Sequence, residues 1–366
     1  MKTALISYLP TAAVSFIAAL IAVGLFVPKV RAFALRIDAV QQGGGRRMHR
    51  GAVPNIGGIA ILGGFLLALL AGSLVRPILL DAYRVELLAI VLGGSLMALV
   101  GFIDDMWEVA PIMRLSSQLV AAGILVVNGV KIDFITNYFG ISGYLFIPET
   151  LSVILTLVWV VGFTNAFNFI DGLDGLSSGI AAISSMSLLA VAVQFADRGA
   201  AVLLLAALAG AALGFLRHNF NPAKIIMGDS GAYLLGYVLA AVSVLGALKV
   251  TAAVTVVAPI LVLAVPVVNL TQVTVRRLSR GVSPATADND HLHDLLHARS
   301  GSKQLTVLLL WLATLVLGTL GMVLSHTPPL LMYLTILTTV TMIAGVSVLR
   351  LIEMERESDR PSKLTL

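Results

Sequence analysis

The chain has no cysteine among its 366 residues. That absence excludes disulfides, thiolate metal sites and a cysteine nucleophile. Charge is scarce too: Asp, Glu, Lys and Arg make up 12% of the residues, about half the fraction usual in a soluble domain. Hydrophobic residues reach 58% and mean hydropathy is +0.98. One soluble core cannot bury that much apolar surface, so lipid must act as part of the solvent. Two motifs are also missing. Without a Gly-x-x-x-x-Gly-Lys-Ser/Thr loop an ATP-driven pump is disfavoured, and without His-Glu-x-x-His so is a membrane metalloprotease.

What is present is a succession of eleven apolar segments, at 5–27, 55–75, 85–103, 115–129, 150–168, 175–195, 199–216, 230–247, 252–275, 304–325 and 328–350. Each is long enough, or nearly so, to cross a bilayer as a helix. The fourth is the shortest and opens on the polar Ser116, Ser117 and Gln118. The expected fold is an all-α polytopic membrane protein of about 11 transmembrane helices. Residues 1–350 read as one transmembrane catalytic domain, and 351–366 as a charged, solvated cytoplasmic tail beginning near Glu353.

Placing the N-terminus outside puts 18 of the 24 Lys and Arg residues in loops on the cytoplasmic side, the C-terminal tail included. Lys2, Arg76, Arg84, Lys131, Arg198 and Lys249 fall on the other side. This asymmetry sets the expected orientation in the plasma membrane. Because the basic residues sit at the ends of apolar runs, the net charge of +5 points to the lipid bilayer and not to nucleic acid. Segment 130–148, with turn residues Asn137, Gly140 and Ser142-Gly143, predicts a small hairpin over the outer face.

Polar clusters gather in the loops on the basic side. Arg46, Arg47, His49 and Arg50 lie in a glycine-bearing loop before Pro54, a composition that attracts phosphate and that also suits a plain membrane anchor. Asp104 and Asp105 close the third segment. Two adjacent carboxylates at a helix C-terminus repel each other and oppose the helix dipole, which is costly unless a cation or proton is held there. Asn165, Asn168, Asp171 and Asp174 recur every third position and share one face while the helix lasts. Asp174 could also cap the next helix. Asp229, in Gly228-Asp229-Ser230-Gly231, precedes a helix whose first amides suit a carboxylate and a phosphate. Asp290-His291-Leu292-His293-Asp294 adds imidazoles near Arg276, Arg277 and Arg280, a weak pattern for zinc. Together these oxygen-rich, cysteine-free groups suit Mg²⁺, or Mn²⁺ in its place, and metal-assisted phosphoryl transfer.

From about residue 30 to 315 the chain resembles the polyprenyl-phosphate N-acetylhexosamine-1-phosphate transferases, glycosyl transferase family 4. The residues that carry the resemblance are Asn165-Ala-Phe-Asn-Phe-Ile-Asp-Gly-Leu-Asp-Gly-Leu-Ser-Ser-Gly179 and Met227-Gly-Asp-Ser-Gly-Ala-Tyr-Leu-Leu-Gly236, in order between Asp104-Asp105 and His291-Leu-His293. The resemblance implies one helix bundle with a cytoplasmic active-site cleft, Mg²⁺, a UDP-N-acetylhexosamine donor, undecaprenyl or another polyprenyl phosphate as acceptor, and UMP as product. Carried over, it implies Asn168 and Asp229 as metal ligands and Asp104 and Asp105 as the catalytic pair. Asn165, Asp171 and Asp174 become nucleotide-site residues. Arg46, Arg47 and His49 become a basic motif near the phosphates, with His291 and His293 on a loop that closes on the donor.

Where the family loop reads Asp-Arg-x-His-x-His-His, this chain has Asn289 and Asp294, and Asn269 stands where an Asp is common. Asp294 is expected to support the loop or meet the sugar. The motif wording points to the GlcNAc-1-phosphate branch, with the phospho-MurNAc-pentapeptide branch as the alternative. A second copy of the chain, as a homodimer, completes the expected partners. The reading from another class is a secondary transporter, which the confinement of the acids to loops and helix ends disfavours.

Overall fold

The computed structural model describes residues 2–41, 52–136, 144–247, 257–283 and 291–358. Arg46, Arg47, His49 and Asn289 lie outside the described residues. The elements run α1 (Lys2–Arg36), β1 (Val40–Gln41), β2 (Val53–Pro54), α2 (Gly58–Val75), α3 (Ile78–Trp107), α4 (Pro111–Val127), β3 (Phe134–Thr136) and β4 (Tyr144–Phe146). They continue with α5 (Glu149–Ile170), α6 (Leu176–Ala192), α7 (Gly199–Asn219), α8 (Gly228–Ala247), α9 (Val257–Val262), α10 (Ala264–Ser279), α11 (Leu292–Ser300), α12 (Lys303–Leu324) and α13 (Pro329–Ser358).

Ten of the eleven apolar segments fall on α1–α8, α12 and α13, and the described part of the ninth falls on α9 and α10. Eight of the described helices are long and apolar enough to cross a membrane. The helices α4 and α6, at 17 residues each, fall just short of that length. The chain is an all-α polytopic membrane protein, with strands only in two small hairpins among the described residues. In one hairpin β1 pairs antiparallel with β2, and in the other β3 pairs with β4, placing Phe134 opposite Phe146. The second hairpin is the one expected around 130–148, and its tip at 137–143 lies outside the described residues.

The ninth apolar segment is not one continuous helix. It breaks at Leu263, between α9 and α10. Pro266 has no N–H to donate to the carbonyl of Val262 four residues earlier. The Ser184 hydroxyl of α6 donates to that oxygen instead, at 3.1 Å.

Helix α7, rich in Ala, Leu and Gly, packs against α1, α2 and α6 and is buried throughout its apolar window, whereas α13 buries only 11% of its own. The Leu330, Tyr333, Leu334 and Leu337 side chains of α13 face outward. Lipid tails are as apolar as leucine, so contacts among apolar faces do little to choose helix partners. Polar contacts between helices supply that choice. Tyr237 of α8 donates to the carbonyl of Ala121 of α4 at 3.1 Å, and Trp159 of α5 donates to Ser243 of α8 at 2.9 Å.

At 30 residues, α3 and α13 are each about 45 Å long, well beyond the ~30 Å of bilayer hydrocarbon. Each therefore extends past the apolar slab. The C-terminal ends of α3 and α5 meet the N-terminal turn of α8. At the same end of the bundle α10 reaches α5 through Arg277 and Phe169, and α7 reaches α13 through Arg217 and Glu353.

Candidate active site

At that end the two acidic neighbours of α3 diverge, because successive residues on a helix point about 100° apart. Asp104 is buried. One of its carboxylate oxygens accepts the Val109 amide at 2.7 Å, and the other accepts the Tyr233 hydroxyl at 3.3 Å and forms an ion pair with Arg114, 2.9 Å from its Nε. Arg114 Nε also donates to the Val109 carbonyl at 2.7 Å. Asp104 thus locks the turn between α3 and α4 and holds a guanidinium at the site.

Asp105 points toward α8. Its two oxygens accept the amides of Asp229 and Ser230 at 2.8 and 3.1 Å. It caps the N-terminus of α8 from a different helix, so the cost of a carboxylate at the C-terminus of α3 is offset by the dipole of α8. The first amides of α8, expected to serve Asp229 and a phosphate, are engaged by Asp105. Gly228 makes this approach feasible. Its φ is +72°, and a Cβ there would fall 2.0 Å from the Asn55 carbonyl and 2.4 Å from Asp105.

Segment 53–58 holds the other side. The Asn55 amide donates to the Asp105 carbonyl at 3.2 Å, Ile226 N donates to Pro54 O at 2.7 Å, and Gly58 N donates to Met227 O at 2.9 Å.

The third-residue series of α5 does not present a single surface, because the helix ends at Ile170. Asn168 donates to the Asp229 carboxylate at 2.6 Å. Asn165 instead pairs with the buried Gln118 of α4, donating at 2.7 Å and accepting at 3.3 Å. Asp171 accepts the Ser177 hydroxyl. Asp174 does not cap α6, whose N-cap is Gly175 with no side-chain bond. Its carboxylate accepts the Asn221 side chain and the Ala223 amide, both at 3.0 Å. Asp104 and Asp174 are buried, while Asp105, Asn168, Asp171 and Asp229 are half-buried. Those four, with Arg114, are among the polar groups this end presents.

Residues 291–300 form a cover beside α5. The His291 and His293 rings stack at 5.3 Å, and His291 meets the edge of Phe169 at 5.5 Å. His293 is buried over Gly172, where a Cβ would lie 2.0 Å from its Nε2. Burial, with His297 nearby, pushes the His293 imidazole down to about 4, so at neutral pH it is uncharged. Asp294 completes a capping box by accepting the His291 amide at 3.2 Å, so it supports the loop. Asn269 of α10 accepts the Leu292 amide at 2.8 Å and ties the same turn to the bundle.

Sequence reasoning missed Arg114, Tyr233 and Asn55. Arg114 is a single basic residue between Met113 and Leu115, and only the fold brings it to Asp104. It also places Glu353 differently from the solvated tail that was expected. Glu353 lies on α13 and pairs with Arg217 at 2.6 Å and Lys224 at 3.1 Å.

A family model described as glycosyl transferase family 4 matches residues 87–247, the stretch that contains Asp104, Asp105, Asn168 and Asp229. The chain is 32% identical over 307 residues to a Bacillus subtilis (strain 168) protein named "probable undecaprenyl-phosphate N-acetylglucosaminyl 1-phosphate transferase", covering 82% of this chain and 81% of that one. It is 33% identical over 302 residues to a decaprenyl-phosphate N-acetylglucosaminephosphotransferase of Mycolicibacterium smegmatis, covering 77% of this chain and 74% of the relative. A phospho-N-acetylmuramoyl-pentapeptide-transferase of Shouchella clausii is 32% identical over 247 residues, covering 64% of this chain and 74% of the relative.

Proposed function

The chain belongs to glycosyl transferase family 4, and from that premise we propose that it transfers N-acetylglucosamine 1-phosphate from UDP-N-acetylglucosamine to a polyprenyl phosphate, releasing UMP. The observation that carries this reading is the meeting of Asp105, Asn168 and Asp229, from α3, α5 and α8, beside the Arg114 guanidinium at one end of the bundle. The N-acetylglucosamine donor is favoured over a muramoyl-pentapeptide donor because the relatives named for the former align over 77–82% of this chain, against 64% for the latter.

In the proposed reaction an oxygen of the lipid phosphate attacks the sugar-linked phosphorus of the donor. The bond from that phosphorus to the bridging oxygen breaks, and UMP leaves with the bridging oxygen. The lipid phosphate is already largely ionised at neutral pH, so bringing two polyanions together is the main barrier. Arg114, held by Asp104, offsets part of that charge. Asn168 and Asp229, with Asp105 behind them, would hold Mg²⁺. Their hard oxygen donors suit it. Among the described residues no three His, Asp or Glu side chains form a metal cage, which fits an ion that draws its remaining ligands from water and phosphate. When bound, the ion neutralises charge on the diphosphate.

The 18:6 split of basic residues supports placing this end at the cytoplasmic face of the plasma membrane. The test is UMP release by the purified protein from a panel of UDP-sugars with polyprenyl phosphate and Mg²⁺. Release with UDP-N-acetylglucosamine is expected. Release only with the muramoyl-pentapeptide donor would transfer the chain to that branch, and release with none would overturn the reading.

A further inference from the structure

Residues 220–227 join α7 to α8 without regular secondary structure, yet they feed two parts of the site. Asn221 and Ala223 supply both bonds to the Asp174 carboxylate described above, and the segment runs directly into Gly228 and Asp229. A segment with no internal ladder takes its position from its tethers. On one side these are Arg31, which donates to the Lys224 carbonyl at 3.2 Å, and Asn219, which donates to the Ile225 carbonyl at 3.0 Å. The bonds to segment 53–58 described above and one from the Lys224 amide to the His218 carbonyl at 2.8 Å hold it too, and further tethers come from α13. Buried Arg350 donates to the Pro222 carbonyl at 2.8 Å, and Glu353 accepts Arg217 at 2.6 Å and Lys224 at 3.1 Å. Arg350 Nη1 lies 3.7 Å from the same carboxylate.

We infer that Glu353 is a positioning residue: it clamps the 217–224 segment to α13 and thereby fixes the partners of Asp174. Three cations converge on one carboxylate, each from a different element: Arg217 from α7, Lys224 from the loop and Arg350 from α13. Removing the negative charge does more than delete a bond, because it leaves three like charges facing one another. The segment then moves away from α13 and takes Asn221 and Ala223 with it. Helix α13 lies outside the stretch matched by the family model, which spans residues 87–247. Its pairs are partly exposed, with 28% of the Glu353 side chain accessible, so the expected effect is modest.

The kinetic half of the test rests on the transferase reading. The exchange half does not. Hydrogen exchange over residues 219–227 and UMP-release kinetics are measured for the wild type, Glu353→Gln and Glu355→Gln, the last a control at an exposed position on the same helix. Glu353→Gln is expected to speed exchange across 219–227. It should also raise the KM for the UDP-sugar about fivefold, the equivalent of ~1 kcal/mol, while the KM for polyprenyl phosphate stays put. Glu355→Gln should do neither. The double exchange Arg217→Glu with Glu353→Arg keeps three cations and one carboxylate in the cluster and should restore much of both. Unchanged exchange in Glu353→Gln would overturn the clamp, and faster exchange with an unchanged donor KM would overturn its positioning role. If the wild type releases UMP from no UDP-sugar, the transferase reading falls, and the exchange measurement still decides the clamp.

Discussion

The two ends of the bundle solve the same problem in opposite ways. Far from the site, polar side chains tie off nearby backbone. Tyr8 donates to the Ala196 carbonyl, Tyr83 donates to the Asp197 carbonyl at 2.7 Å, and Arg76 donates to the Ser7 carbonyl at 2.8 Å while lying 4.6 Å over the Tyr8 ring. Lys131 pairs with Glu149 at 2.6 Å. Arg76 and Lys131 thus meet an aromatic face, a carbonyl or an acid, and the result is a fastened rim. At the site end, carboxylates accept amides from other helices and gather close to one another. Like charges assembled in a half-buried place are expensive in structural terms. That cost is what singles out this end for the proposed chemistry.

The sharpest way to break this contrast is to remove the charge from Asp229. Asp229→Asn keeps size and shape, so the protein should still insert and fold. Turnover should fall about a thousandfold or more if the carboxylate holds a metal charge, as losses of several kcal/mol imply. UMP release across a Mg²⁺ titration measures it, and near-normal turnover at low Mg²⁺ would remove Asp229 from the site.

Asp105→Ala should be the next largest change, and of a mixed kind. It strips the cap from α8, which costs about 1–2 kcal/mol of stability, and it lowers turnover as well. Thermal unfolding in detergent read beside activity separates the two. Loss of activity with unaltered stability would mean that the cap observed here contributes nothing to the fold.

A smaller effect follows from His293. Its pKa is about 4 in the folded protein, below the ordinary 6.5. The unfolded chain therefore binds the extra proton more readily. Stability should be flat above pH 7 and decline as pH falls from 6.5 toward 4. His293→Asn should flatten that slope in melting curves taken between pH 4 and 8. An identical slope in the variant would assign the decline to other groups.

The smallest change is expected at the far end. Arg76→Gln removes an exposed contact with Tyr8 and Ser7, so stability should shift by less than about 1 kcal/mol. Donor and acceptor KM should both be unaltered. A change in either would erase the distinction between a fastened rim and a reactive end.

Much of this division was legible in the sequence. Apolar runs located the helices because in lipid a helix must satisfy its own backbone, whatever its neighbours. The acidic motifs announced themselves because ionisable groups are rare between such runs. Pairings across the fold were not legible. Nothing near Asp104 and Asp105 in the chain says that one will face Arg114 and the other α8, since that depends on how α3 is rotated against its neighbours. Asn165 looked equivalent to Asn168 by spacing, yet Gln118 of α4 engages the first and Asp229 of α8 the second. Asp174 had the composition of a helix cap, and the 221–223 segment claimed it instead. Glu353 read as tail because charge after the last apolar run is usually solvated, and α13 carries it back to Arg217.

The cap on α8 also bears on how the protein is made. The acceptor for its first amides lies on α3, 124 residues earlier in the chain. The opening turn of α8 is closed by Asp105 and not by its own Asp229, so as α8 enters the bilayer that turn remains unfinished until it docks beside α3. Maturation of the reactive centre and the late assembly of the bundle are therefore one event. A half-inserted chain carries every acidic residue of the site and none of its arrangement, which keeps the chemistry silent until the helices have met.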